Sequence, residues 1–94
     1  MKKFSVVIPP SVESSLKHLH PGLKQKIKLA LGLIETNPHI GKPLQGKLFG
    51  LLSFRATHYR IVYRVVLKNN HIEVVDIGPR KIIYEKLFNW KLPK

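Results

Sequence analysis

Hydrophobic and polar positions alternate with different periods along the chain, and each change of period predicts a change of element. Phe4 to Ile8 is a short apolar, β-prone run closed by Pro9-Pro10, which predicts a first strand. Beyond it Val12, Leu16, Leu19 and Leu23 fall at helical spacing, across a break at Pro21-Gly22. Ser11 is a suitable N-cap, and Glu13 lies in the first turn, where a carboxylate meets the positive end of the helix dipole. A second helix is expected from about Leu23 to Glu35, with Leu23, Ile27, Ala30, Leu31 and Ile34 on one face. Lys24, Lys26 and Lys28 lie largely off that face, and Asn37-Pro38 ends the helix. Residues 37–46, with their prolines and glycines, read as a loop.

Three strands then follow, at about 47–55, 59–67 and 72–77. Lys68-Asn69-Asn70-His71 joins the last two, and Asn69-Asn70 suits a two-residue hairpin turn because asparagine tolerates positive φ. Pairing 68 with 71 sets 66 opposite 73, 64 opposite 75 and 62 opposite 77. One face then carries Tyr59, Ile61, Tyr63, Val65, Leu67, Ile72 and Val74, with Asp76 its only charge, and is expected to cover the helices. The other carries Arg60, Val62, Arg64, Val66, Glu73, Val75 and Ile77. An apolar face studded with arginines suggests a half-open cleft. After Gly78-Pro79 come Arg80-Lys81 and an amphipathic tail, helical at first, with Ile82, Ile83, Tyr84, Leu87, Phe88 and Trp90. Phe88 and Trp90 are expected to pack on the domain or on a partner.

The resulting expectation is an α+β fold in one domain, 1–94: an N-terminal strand, a two-helix hairpin, a three-stranded antiparallel meander packed on the helices, and a short C-terminal helix. Charge changes this picture from architecture to partner. Lys and Arg number 17 against 5 Asp and Glu, a formal net charge of +12. That lies above the magnitude of about 2 to 8 usual for a small domain. Such a field attracts phosphate polymers, anionic membranes or an acidic protein. No run approaches the ~20 apolar residues of a membrane helix, and the N-terminal apolar run is too short for a signal peptide. The chain has no cysteine, which removes disulfides and thiolate–metal sites and fits a cytoplasmic protein. His18, His20, His39, His58 and His71 show no metal-site spacing, no Ser-His-Asp order is evident, and Gly46-Lys47 belongs to no P-loop. No metal and no cofactor is expected.

Three stretches carry a resemblance. They are Gly41-Lys42-Pro43-Leu44-Gln45-Gly46-Lys47-Leu48, His58-Tyr59-Arg60-Ile61-Val62-Tyr63-Arg64-Val65, and Ile77-Gly78-Pro79-Arg80-Lys81-Ile82-Ile83-Tyr84. Together, in this order and spacing, they resemble the signature of the RelE/ParE toxins of type II toxin–antitoxin systems. The resemblance implies one of two activities. RelE-like members bind the ribosome and cut mRNA without a metal, inhibiting translation; ParE-like members inhibit DNA gyrase and are not nucleases. Both are neutralised by a cognate antitoxin protein in a hetero-oligomer. The ribosome and mRNA, or gyrase, are then the other implied partners.

By the same resemblance Arg60 and Arg80 hold and stabilise the scissile phosphate, and Tyr84 acts as base or stacks on a nucleobase. Arginine suits that task because its planar fork grips two phosphate oxygens at once. An ordinary tyrosine ionises near pH ~10, so a tyrosine base needs guanidinium groups within a few ångströms. The resembled nucleases carry lysines on the first meander strand, where this chain has Leu51 and Ser53. Arg55 keeps a basic residue near the end of that strand. It shares a face with Arg60 if the hairpin loop between them has an even number of residues, and not if the loop is Ala56-Thr57-His58. Lys47 and Arg64 complete the candidate RNA-phosphate contacts, with His58 a possible acid or base.

Each residue also has a plainer reading. Arg60 can pair with Glu73 or with Asp76, although the predicted register points Asp76 to the other face; Arg64 can pair diagonally with Glu73, Tyr84 can be a core or interface aromatic, and His58 an exposed turn residue. The lysines of the second helix form a solvated face, and Tyr63 belongs to the core. A toxin without activity, kept as a repressor subunit, is the third functional reading.

Overall fold

The computed structural model describes residues 4–88. In chain order these form β1 (Ser5–Val7), α1 (Pro10–Leu16), α2 (Pro21–Thr36), β2 (Lys42–Pro43), β3 (Leu52–Ala56), β4 (Tyr59–Val66), β5 (His71–Pro79) and α3 (Arg80–Phe88). Short 3-10 turns occupy Pro38–Ile40, Gly46–Leu48 and Leu67–Asn69. The strands make one sheet in the order β1-β5-β4-β3-β2. β1 runs parallel to β5 and the other neighbours are antiparallel. The α+β fold and its element order match the expectation. Trp90 lies outside the described residues, as does the side chain of Phe88.

The helix starts differ from the sequence reading. Pro9 occupies the cap position of α1 without a side-chain bond, so Ser11 is no cap and lies inside the helix. α2 begins at Pro21 rather than Leu23. Proline's fixed φ suits the first helical position, where its missing N–H costs nothing. His20 caps the helix, its Nδ1 accepting the Gly22 N–H at 3.1 Å.

The β4–β5 hairpin also corrects the predicted register. Its connection is Leu67–Asn70, a 3-10 turn closed by Asn70 at φ 51°, and Val66 pairs with His71. A bulge at Val75 then shifts the partners, so Tyr63 faces Val74 while Val62 faces Asp76. Beyond it the two rows exchange faces. Asp76 leaves the core face, and Ile77 enters it at 8% exposure. A buried carboxylate without a partner would be costly. On the other face Asp76 Oδ2 meets Lys86 Nζ at 3.2 Å, and Oδ1 accepts the Ile77 N–H at 2.8 Å.

One core lies between the helical hairpin and the sheet, built on Val12, Ile27, Ala30, Ile34, Ala56, Ile61, Tyr63, Ile72, Val74 and Ile77. The opposite face is not the half-open cleft expected. α3 closes its middle, where Ile83 and Leu87 pack on Leu51 and Val62. Among the described residues no helix is long and apolar enough to cross a membrane.

The segment expected as a plain loop is pinned at one buried point. Tyr63 Oη donates to the Pro38 carbonyl at 2.7 Å and accepts the Gly41 N–H at 3.0 Å. A Cβ at Gly41 would stand 2.6 Å from that oxygen, so no other residue fits without movement. Burial raises the Tyr63 phenol above its ordinary pKa, partly opposed by the Gly41 hydrogen bond. With its far side so fixed, the segment runs on into β2, which pairs Lys42 with Ser53 and Pro43 with Leu52.

Candidate active site

Cross-strand pairing arranges the α3-side face in rows. Arg55 stands opposite Arg60, and Arg60 opposite Gly78. One step further along the strands, Lys42, Ser53, Val62 and Asp76 form a second row. Rows on one face lie about 6.6 Å apart, two residues of strand. The β3–β4 loop is Thr57-His58, with Thr57 at φ 57°, so its residue number is even and Arg55 shares a face with Arg60.

Like charges directly opposite each other destabilise a sheet. Here no carboxylate among the described residues pairs with either of them. Arg55 is exposed and its Nε donates to the Thr57 carbonyl at 3.1 Å. Arg60 is half-buried, and its Nη1 donates to its neighbour's carbonyl, Tyr59 O, at 3.2 Å. Neither makes an ion pair among the described residues. Gly78, opposite Arg60, adds no side chain to crowd it.

Arg80 opens α3 directly after β5. Its backbone N–H donates to the His58 carbonyl at 3.1 Å, tying the first turn of the helix to the β3–β4 turn. Its side chain is exposed and also unpaired among the described residues. Tyr84 follows one turn later on the same helix side. Its hydroxyl lies 2.9 Å from Ser53 Oγ, in a hydrogen bond that either group can donate. Ser53 is 7% exposed, so this bond fixes the phenol against β3. The three arginines and Tyr84 thus gather at one end of the sheet.

The other candidates lie differently. Arg64 stands directly opposite Glu73, not opposite a valine, and is ion-paired with it. Glu73 also meets His71 Nε2 at 3.3 Å. Hydrogen bonds from Arg64 first, and then from His71, hold the Glu73 carboxyl below its ordinary pKa. Four strand residues separate Arg64 from Arg60, about 13 Å. Lys47 lies on the exposed 3-10 turn Gly46–Leu48, because β3 begins at Leu52 rather than residue 47. His58 is exposed at the turn, its ring edge-on to Tyr59 with centroids 4.9 Å apart. Among the described residues no three His, Cys, Asp or Glu side chains gather as a metal site. Ser53 as the anchor of Tyr84 was invisible in the sequence, since only the α3 docking angle brings residues 53 and 84 together.

A helix-capped sheet with three arginines gathered at one end offers a basic surface suited to an anion, and comparison with known proteins gives the family. The family of the ParE toxin of type II toxin–antitoxin systems matches residues 6–84. The chain belongs to this family, within the RelE/ParE superfamily. Toxin RelE of Mycobacterium tuberculosis is 36% identical over 59 residues, a match spanning 62% of this chain and 61% of that relative's length. The toxin–antitoxin complex RelBE2 from the same organism is a solved relative at 25% identity and TM-score 0.74, covering 84% of this chain and 100% of that one. A YoeB/ParE toxin from Agrobacterium tumefaciens shares the fold at TM-score 0.72 and 22% identity, covering 82% of this chain and 99% of its own.

Proposed function

We propose that this toxin is an mRNA endoribonuclease that acts on the ribosome and inhibits translation in the cytoplasm. The observation that carries the reading is the convergence of Arg55, Arg60 and Arg80, unpaired among the described residues, beside Tyr84. An arrangement that leaves guanidinium groups facing one another is stabilised when an anion sits between them, and a phosphodiester is such an anion. In the reaction the ribose 2′-hydroxyl gives up its proton, the 2′-oxygen attacks the adjacent phosphorus, the P–O5′ bond breaks, and the departing 5′-oxygen takes a proton from water, so that a 2′,3′-cyclic phosphate and a 5′-hydroxyl remain. The arginines hold the phosphate and the charge that grows on it. Tyr84 stands one helical turn from Arg80 to take the 2′-proton or stack on a base. Arg64, committed to Glu73, contributes little, and His58 stands at the turn that ties Arg80 to the sheet. An antitoxin is the proposed protein partner, as in the solved complex RelBE2.

Gyrase inhibition is the second reading. The ParE family match favours it, as does the neutral Ser53 on β3. Mapping mRNA 5′ ends shortly after induction without antitoxin separates the two. New ends inside translated frames, lost in Arg60→Ala and Arg80→Ala, are expected. Growth arrest with intact messages and halted DNA synthesis would replace the nuclease with the gyrase inhibitor.

A further inference from the structure

We infer that Lys42 is a phosphate-contacting residue of this site; the inference rests on the nuclease reading. In the sequence Lys42 sits inside a proline- and glycine-rich loop, with nothing to direct it anywhere. The fold makes it half of a two-residue strand whose register is set from both sides. Upstream, Tyr63 clamps Pro38 and Gly41. Downstream, the Leu44 N–H donates to the Leu51 carbonyl at 2.9 Å. Between these anchors Lys42 lies opposite Ser53. Directly opposed residues project to one face with Cβ atoms about 4.5–5.5 Å apart. Ser53 in turn holds the Tyr84 hydroxyl at 2.9 Å. Lys42 therefore flanks the tyrosine on the β2 side, while Arg55 and Arg60 lie in the next row along the same face.

Charge supports the assignment. Ser53 brings no cation to the tyrosine, and Asp76, at the far end of its row, is occupied by Lys86. Lys42 is exposed and makes no ion pair among the described residues. Its flexible stem carries a compact ammonium that can follow a bound strand. A nucleic-acid backbone passing over Tyr84 with one phosphate between Arg55, Arg60 and Arg80 would lay a neighbouring phosphate against Lys42. The competing role for a lysine on a short edge strand is to block edge-to-edge association.

Single-turnover cleavage of ribosome-bound message decides between them, with antitoxin-free wild type, Lys42→Ala, Lys42→Arg and Lys68→Ala. Lys68 lies in the β4–β5 turn and controls for loss of one positive charge. Lys42→Ala is expected to cut about 10- to 100-fold more slowly, the scale of one charge-assisted hydrogen bond. Lys42→Arg should recover most of the rate, and Lys68→Ala should match wild type. The defect should narrow as salt rises, because exposed electrostatic contacts are screened. Equal rates for wild type and Lys42→Ala, with or without aggregation of the variant, would overturn the role of Lys42 and leave the nuclease standing. A wild type that cuts nothing would remove both.

Discussion

Tyr63 shows how much one side chain decides. It is fully buried, lies in the middle of β4, and bolts the sheet to the segment that leads into β2. Tyr63→Phe leaves the Gly41 N–H buried and without its partner, so a loss of about 1–3 kcal/mol is expected in denaturant unfolding. Gly41→Ala should cost at least as much, since its new methyl meets the phenol oxygen. The same phenol sets an alkaline limit. Its pKa is raised in the fold, so its contribution is complete below the unfolded value of about 10 and is lost as pH climbs through the folded one. Tyr63→Phe should remove that part of the alkaline decline. Glu73 has the opposite sign: its carboxyl is lowered, so its small contribution is present above the ordinary carboxylate range and fades on acidification through the folded value. Thermal melts of Glu73→Gln should accordingly be less sensitive to pH below about 4 than those of wild type. At the site, Arg55→Gln relieves a cross-strand repulsion, and a Tm equal to or above wild type is expected alongside slower cleavage. A lower Tm would mean that the pair is not strained.

At the scale of elements, α3 connects packing to chemistry. Ile83 and Leu87 seat it on Leu51 and Val62, and that seat brings Tyr84 to Ser53. Ile83→Ala should cost about 2–5 kcal/mol and lower cleavage beyond what the lost stability explains, because Tyr84 loses its fixed position. If cleavage is unchanged in the folded fraction, the docking of α3 is not needed for activity. The helices and the meander were legible because their periodicities are long and clean: Ile27, Ala30 and Ile34 repeat at 3.6, and Tyr59 to Val65 alternate at 2. Arg60, Arg80 and Tyr84 were legible through local motifs. What stayed hidden depends on contacts distant in sequence. A two-residue strand such as β2 has no period to read, and its direction comes from Tyr63, far along the chain. The bulge at Val75 leaves no mark that separates it from ordinary alternation, so Asp76 and Ile77 were assigned to each other's faces. Asn69-Asn70 signalled a turn, but the length of the connection came from the 3-10 geometry of Leu67–Asn69.

For the whole molecule, a net charge of +12, with three arginines gathered at one end of the sheet, predicts association governed by salt. Toxin binding to programmed ribosomes should weaken steeply between low and physiological salt, and the Arg60→Ala variant should show a shallower slope than wild type. An unchanged slope would place the phosphate contacts elsewhere on the surface. The sheet also sets an order of assembly. β3, β4 and β5 are joined by short turns and can pair as soon as they meet, whereas β1 must find β5 from the other end of the chain, setting Ser5 beside His71. Closing so long a loop is entropically slow. The arginine rows are therefore expected in the part that forms early, with the parallel strand as the late latch. Changes in the latch, such as Val6→Ala, should speed unfolding while leaving the folding rate nearly untouched. A chain built this way is expected to complete its arginine rows before its fold is locked, and in that interval the β5 edge stands unpaired, open to whichever strand reaches it first.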